Sequence, residues 1–232
     1  AYRGLRANIQ FLALDERLSV IQITSSLSGE GKTTTATNLA VVLARAGNRV
    51  ALVDADLRRS RVHEMFDISS VPGLTDMLLG VAPKDVVQLV DVDANHRISV
   101  YTSGAIPANP SEMLSGRRMK TLLERMGEHY DYVIVDSAPV LPVSDSVAVA
   151  GSADGVIVVG QAGRITNSNL TETLERLDRV SAPIIGIVLN QARGANRDAY
   201  VYGGYRPLTP TEPMPLERAD GDDTSETLFS DA

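Results

Sequence analysis

The residues most able to do chemistry lie at 26–33, which read SLSGEGKT. This segment matches the phosphate-loop pattern GxxxxGK[ST], except that Ser26 replaces the first glycine. Gly29 and Gly31 allow the backbone to wrap with its N–H groups pointing inward, which makes an anion site at the start of a helix. Lys32 is then placed to reach the β- and γ-phosphates of a nucleotide, and Thr33 to offer a hydroxyl to Mg²⁺.

Three aspartates follow apolar runs elsewhere in the chain. Asp54 and Asp56 lie in DADLR after the run 50–53, and Asp136 comes after the run 132–135. An aspartate after a strand is common, but beside a phosphate loop Asp136 fits the Walker B role of holding Mg²⁺. Two carboxylates one residue apart suggest that one is directed at a metal ion and the other acts as a base. A base would be useful for a hydroxyl such as that of tyrosine, whose pKa of about 10 means that it reacts more readily when an acceptor for its proton is in place.

The elements that must position these groups alternate between apolar strands and helical patterns. Runs of this kind predict a P-loop NTPase-like α/β fold with a mostly parallel central sheet flanked by helices on both faces. Ligands in such folds bind at the carboxyl ends of the strands. The phosphate loop, the pair Asp54 and Asp56, and Asp136 all follow strands, so we expect them to converge at this edge of the sheet. Residues 61–95 are predicted to form short helices. The predicted strands are 20–24, 50–53, 98–102, 132–135, 156–159 and 184–189.

The composition of the chain excludes several kinds of site and partner. The chain has no cysteine, which excludes disulfides, thiolate metal sites and iron–sulfur clusters. No apolar run approaches the ~18 residues of a membrane-spanning helix. The net charge is −7, and residues 206–232 hold seven acidic residues and two arginines, so nucleic acid is not expected as a partner. We expect a domain over 1–205 and a disordered, acidic, proline-containing tail over 206–232.

Together the motifs resemble those of the bacterial tyrosine kinases (BY-kinases), over nearly all of residues 1–205. The pieces that carry the resemblance are SSLSGEGKTTTATNLA, VALVDADLRRSRVH, PGLTDMLLG, SGAIPANPSEML, YDYVIVDSAPVLPVSD and GIVLNQ. The resemblance implies a protein-tyrosine (auto)kinase that uses ATP and Mg²⁺. It makes Lys32 and Asp54 catalytic, with Asp54 as the base, and Thr33, Asp56 and Asp136 the Mg²⁺ partners. The ATP-binding set that it implies is Ser28, Gly29, Glu30, Gly31, Lys32, Thr33, Thr34, Asn190 and Arg193.

The resemblance also implies how the chain is used. Tyr200, Tyr202 and Tyr205, in YVYGGY, are expected to accept phosphate from a neighbouring subunit. Arg3 and Arg6 match the two arginines of an oligomer motif, whose glutamate would precede Ala1. The expected partners are further copies of the chain, a transmembrane adaptor or activator segment, and other protein tyrosine substrates. The expected location is the inner face of the bacterial plasma membrane, with a role in surface polysaccharide synthesis or export.

Three other classes of protein share parts of this pattern, and each lacks support at a particular point. A MinD/ParA-like switch ATPase without kinase activity needs a second lysine early in the loop, where this chain has Leu27. An iron–sulfur scaffold or carrier ATPase needs cysteines. A non-catalytic, ATP-sensing regulator would keep the fold and lose the catalytic residues. The complete set of lysine, threonine and aspartates in this chain disfavours that alternative.

Overall fold

A computed structural model describes residues 1–14 and 17–192, within the first of two units of the chain, Ala1–Arg193. A seven-stranded sheet with the order β3-β4-β2-β5-β1-β6-β7 forms its centre. The strands are β1 (Val20–Ser25), β2 (Val50–Ala55), β3 (Gln88–Asp91), β4 (Arg97–Tyr101), β5 (Tyr132–Ser137), β6 (Gly155–Gln161) and β7 (Ile184–Asn190). The helices are α1 (Tyr2–Leu12), α2 (Lys32–Ala44), α3 (Val62–Phe66), α4 (Leu74–Leu79), α5 (Pro110–Ser115), α6 (Arg117–His129), α7 (Asp145–Ala150) and α8 (Asn167–Asp178), with a 3₁₀ turn at Pro83–Asp85.

The central strands are buried on both faces, which explains their continuous apolar sequences. Every residue of β1, β2 and β5 is buried. One face of the sheet packs in a cluster that includes Leu123 of α6, and the other packs in a cluster that includes Leu39 of α2. The predicted mostly parallel sheet with helices on both faces is therefore confirmed.

One prediction about the region before β4 was wrong. Residues 88–91 form β3, which pairs antiparallel with β4 at the edge of the sheet, where short helices had been expected. Its exposure alternates along only four residues, so the sequence offers too short a pattern to recognise. After β4, a short helix, α5, precedes α6, and it begins at Pro110 because proline fits the first position of a helix.

The register of β2 and β5 brings two predicted site residues together. Asp54 and Asp136 are directly paired positions of these neighbouring strands, and both lie within the last two residues of their strand, where the sequence had suggested the loops beyond. Since side chains alternate along a strand, both point to the side of Leu52 and Ile134, against which α2 packs.

The first helix lies against α2 through Leu5 and the fully buried Ile9. Among the residues that the structure describes, no helix is both long enough and apolar enough to span a bilayer.

Candidate active site

The phosphate loop joins β1 to α2 and has the backbone that the motif requires. Gly29 and Gly31 have φ angles of 86° and 97°, in the left-handed region that favours glycine. Gly31 is the residue before α2 begins at Lys32, so the first N–H groups of the helix open towards the loop. A Cβ atom at Gly31 would lie 1.9 Å from Nδ2 of Asn190, which shows how closely the end of β7 approaches the loop.

The departure from the motif at Ser26 has a structural explanation. Ser26 is fully buried and is not among the residues with positive φ, so the missing glycine is not needed for backbone freedom. Its hydroxyl is hydrogen-bonded to Oγ1 of Thr173 of α8 at 2.8 Å. Glu30 is also buried, and its Oε2 accepts the Leu27 N–H at 2.7 Å. The Glu30 side chain therefore stabilises the loop from within.

Lys32 lies between carboxylates from two strands. Its Nζ is 2.7 Å from Asp56 Oδ2 and 3.7 Å from Asp136 Oδ1, and 3.4 Å from the hydroxyl of Thr33. Burial alone would lower the pKa of Lys32, but Asp136 and Asp56 more than offset it, so the pKa lies above its ordinary value. The lysine is held as a cation in a cluster whose carboxylates outnumber it.

Asp54 has no exposed surface. Its Oδ1 accepts the Asp56 N–H at 3.1 Å, and its Oδ2 accepts the Ser60 hydroxyl at 2.7 Å and the Val62 N–H at 3.1 Å. Burial raises the pKa of Asp54, while the bonds from Ser60 and Val62 and the charge of Lys32 oppose that rise. A carboxyl group in this setting is suited to take up a proton.

The environment of Asp136 suits a further cation. Both of its oxygens are buried and accept no hydrogen bond from the described residues, and the nearest positive charge is Lys32 Nζ at 3.7 Å. Burial raises the pKa of Asp136 to about 7, with Lys32 opposing the rise and Asp54 adding to it. A buried carboxylate with so little compensation is stabilised by a proton or by a second cation.

The donor set around Asp136 fits Mg²⁺ bound together with a nucleotide. The described residues contain no group of three or more acidic, histidine or cysteine side chains able to hold a metal ion alone. Mg²⁺, however, is commonly bound by one or two carboxylates, waters and substrate phosphates. Thr33, Asp56 and Asp136 supply hard oxygen ligands beside the phosphate loop and satisfy that requirement.

Several residues of the site were not predicted from the sequence. Arg58 makes a two-fold contact with Asp145 of α7, at 2.6 and 3.2 Å, which anchors the chain leaving β2. Ser60 and His63 approach Asp54 from the loop before α3 and from α3 itself. Only the tertiary pairing of Arg58 with a residue 87 positions away could have revealed this role.

The other predicted site residues lie partly at the cleft, partly in contacts within the fold and partly outside the described residues. Ser28 and Thr34 are exposed and line the cleft of about 570 Å³ at the loop. Asn190 donates from Nδ2 to the carbonyl oxygen of Glu30 at 3.1 Å. Arg3 is exposed, whereas Arg6 donates to the carbonyl oxygen of Val42, which joins α1 to α2. Outside the described residues lie Arg193, Tyr200, Tyr202 and Tyr205.

A second cavity, of about 800 Å³, lies between α4 and α6, lined by residues such as Met77, Leu122 and Met126. It is larger than the cleft at the loop, but none of the buried carboxylates lines it. Because the charged groups and the helix N-terminus converge on the smaller cleft, we place the candidate active site there.

Comparisons with known proteins identify the family of the chain. A family model described as an AAA domain matches residues 18–186. The tyrosine-protein kinase YwqD of Bacillus subtilis is 37% identical over 88% of this chain and 85% of its own length. The tyrosine-protein kinase etk of Escherichia coli is 34% identical over 87% of this chain. The solved kinase domain of the E. coli tyrosine kinase ETK superposes with a TM-score of 0.77, at 34% identity, covering 84% of this chain and 77% of that one.

The lengths of these relatives differ. The chain spans 28% of the E. coli protein, so it corresponds to one part of that longer relative, whereas it spans most of the B. subtilis protein. Both of these curated relatives, which the chain matches over most of its length, are named tyrosine-protein kinases, so the switch-ATPase alternative is not favoured. The fold, the phosphate loop and the two kinase relatives together show that this chain belongs to the bacterial tyrosine-protein kinase family, with a P-loop NTPase-like fold.

Proposed function

We propose that this chain transfers the γ-phosphoryl group of ATP to tyrosines, among them Tyr200, Tyr202 and Tyr205 of a neighbouring copy. The observation that carries the proposal is the buried cluster beside the phosphate loop. It combines Lys32 with Asp56 at 2.7 Å and a second carboxylate, Asp54, whose pKa is raised by burial. A site that only bound ATP would have no need of a buried carboxyl group poised to take a proton.

Each group has a separate task in the proposed transfer. The N–H groups of the loop and of the first turn of α2 hold the phosphates. Lys32 exchanges its carboxylate partners for phosphate oxygens and offsets the charge that develops during transfer. The tyrosine oxygen forms a bond to the γ-phosphorus, the bond to the leaving ADP breaks, and Asp54 takes the phenolic proton.

Thr33, Asp56 and Asp136 would hold Mg²⁺, which when bound neutralises charge on the phosphates. The backbone of Ser28, Gly29, Glu30, Gly31 and Thr34 would contribute to the phosphate site. Asn190 and Arg193 are proposed to lie beside the nucleotide base.

The wider setting is also part of the proposal. We propose a kinase domain over 1–205 and an acidic tail over 206–232, acting at the inner face of the bacterial plasma membrane. Its proposed partners are other copies, through Arg3 and Arg6, a transmembrane adaptor segment, and further tyrosine substrates. Its proposed role is to regulate surface polysaccharide synthesis or export.

Intact mass after incubation with ATP and Mg²⁺, with peptide mapping of residues 194–218, tests the transfer. We expect phosphate on the tyrosine cluster of the native protein and none on Lys32→Met. Lys84→Met, which removes an exposed lysine, is the matched control and keeps activity. ATP turnover without any phosphotyrosine would contradict the proposal and favour a switch ATPase.

Asp54→Asn separates a base from a ligand. If Asp54 is the base, the transfer rate falls by about a hundredfold or more, because a positioned base contributes roughly 10²–10⁴. The affinity for ATP, measured by titration calorimetry, stays within about threefold of the native value. Parallel losses of affinity and rate would instead make Asp54 a ligand of the nucleotide complex.

A further inference from the structure

A short hydrogen-bonded chain leads from the surface to the buried carboxylate of Asp54. Oγ of Ser60 lies 2.7 Å from Oδ2 of Asp54 and 3.1 Å from Nδ1 of His63. His63 lies in the first turns of α3 and is partly exposed, whereas Asp54 has no exposed surface. The three residues therefore connect a buried acid to an imidazole at the edge of the cleft.

The single proton of the Ser60 hydroxyl decides the direction of its two hydrogen bonds. A serine hydroxyl carries one proton, and an ionised carboxylate can only accept. The Ser60 proton must then point to Asp54, and the contact with the imidazole requires a donor on the other side. In this arrangement His63 carries its proton on Nδ1 and donates it to Oγ of Ser60.

We propose that His63 is a positioning residue for the proton-accepting carboxylate. By donating from Nδ1, it holds the Ser60 hydroxyl turned towards Asp54, which keeps one of the three donors to that carboxylate in place. The inference rests on the proposed function, in which Asp54 takes the tyrosine proton. Without the imidazole donor, nothing on the other side of Oγ fixes the Ser60 hydroxyl, so its hydrogen bond to Asp54 is less well oriented.

The tautomer of His63 can be measured on the native protein without any assay of activity. ¹⁵N-detected NMR of histidine-labelled protein at pH 8 distinguishes a proton on Nδ1 from a proton on Nε2. The signal of His63 is identified by its loss in His63→Asn, since the chain has two other histidines. We expect the Nδ1–H form, and a neutral ring protonated on Nε2 would overturn the inference whether or not the protein is a kinase.

Kinetics test the consequence for the reaction. His63→Leu and Ser60→Ala should each lower kcat by about tenfold, the typical effect of losing a hydrogen bond to a charged group. The KM for ATP should not change, and the double variant should be no slower than either single one, because both break the same chain. His63→Asn should recover most of the rate, since its amide N–H takes the place of Nδ1–H.

His129→Leu is the matched control, because it removes an exposed histidine that makes no hydrogen bond within the described part of the chain. Its kcat should equal that of the native protein. Independent losses in the double variant, or a His63→Asn variant as slow as His63→Leu at equal melting temperature, would contradict the positioning role. Absence of transfer in the native protein would contradict the proposed function and leave the NMR result to decide the inference.

Discussion

Asp136→Asn should stabilise the nucleotide-free protein at neutral and alkaline pH while it removes phosphoryl transfer. The native carboxylate is fully buried, and both of its oxygens lack a hydrogen-bond donor. Asparagine has nearly the same shape and carries no charge to desolvate. Lys32 keeps its 2.7 Å contact with Asp56 in the variant, so the substitution does not leave a buried cation without a partner.

The size of the effect follows from the pKa of Asp136. Burial raises the pKa from 3.8 to about 7 in the folded protein. One pKa unit corresponds to about 1.4 kcal/mol, so the ionised group costs the folded state roughly 4 kcal/mol above pH 7. At pH 5 the folded protein keeps the proton and the unfolded chain does not, so the cost is only about 1–2 kcal/mol.

The sign of the pH dependence is that of an acid whose pKa is raised by folding. The native protein is free of this cost below pH 3.8 and loses stability as the pH rises through about 7. The excess in the free energy of unfolding of Asp136→Asn over that of the native protein should therefore grow by about 2–3 kcal/mol between pH 5 and pH 8. For a domain of this size, that growth corresponds to roughly 5–10 °C in melting temperature.

Thermal unfolding of both proteins in EDTA, at several pH values, measures this difference. Asp131→Asn is the control, because Arg49 holds the pKa of Asp131 below its ordinary value, and its removal should not stabilise the protein at any of these pH values. A gain for Asp136→Asn that is the same at pH 5 and pH 8, or a loss of stability at pH 8, would refute the reasoning. The variant should also lose the stabilisation that ATP gives the native protein with Mg²⁺.

Three further substitutions test the scaffold around the site. Gly31→Ala places a Cβ atom on a left-handed backbone, 1.9 Å from Asn190 Nδ2. We therefore expect the affinity for ATP, measured by calorimetry, to fall by about tenfold or more. Unchanged affinity would show that the loop adapts. Arg58→Ala leaves the buried Asp145 without its cation, so the free energy of unfolding in urea should fall by about 2 kcal/mol. An equally stable variant would mean that the exposed guanidinium contributes little. Asp154→Ala removes an acceptor of two backbone N–H groups at the start of β1 and should cost about 2 kcal/mol in the same assay, with a loss below 0.5 kcal/mol contradicting that role.

The local features of the site could be predicted from the sequence. The phosphate loop is recognisable because its glycines, Lys32 and Thr33 are adjacent in the chain and the required backbone depends on glycine itself. The buried strands were recognisable because residues covered on both faces are apolar throughout. The edge strand β3 was missed, since four residues with one open face give neither signal.

The amino-acid sequence by itself determined which groups are present: a phosphate-binding loop, a lysine at the start of a helix and aspartates near the ends of two strands. Only the tertiary structure decided which of these groups interact. The register of β2 with β5 pairs Asp54 with Asp136, and the packing of α2 on that side of the sheet brings Lys32 between the carboxylates. The physical reason is that strand register and burial depend on contacts between distant segments, and the pKa values of the site depend on that burial.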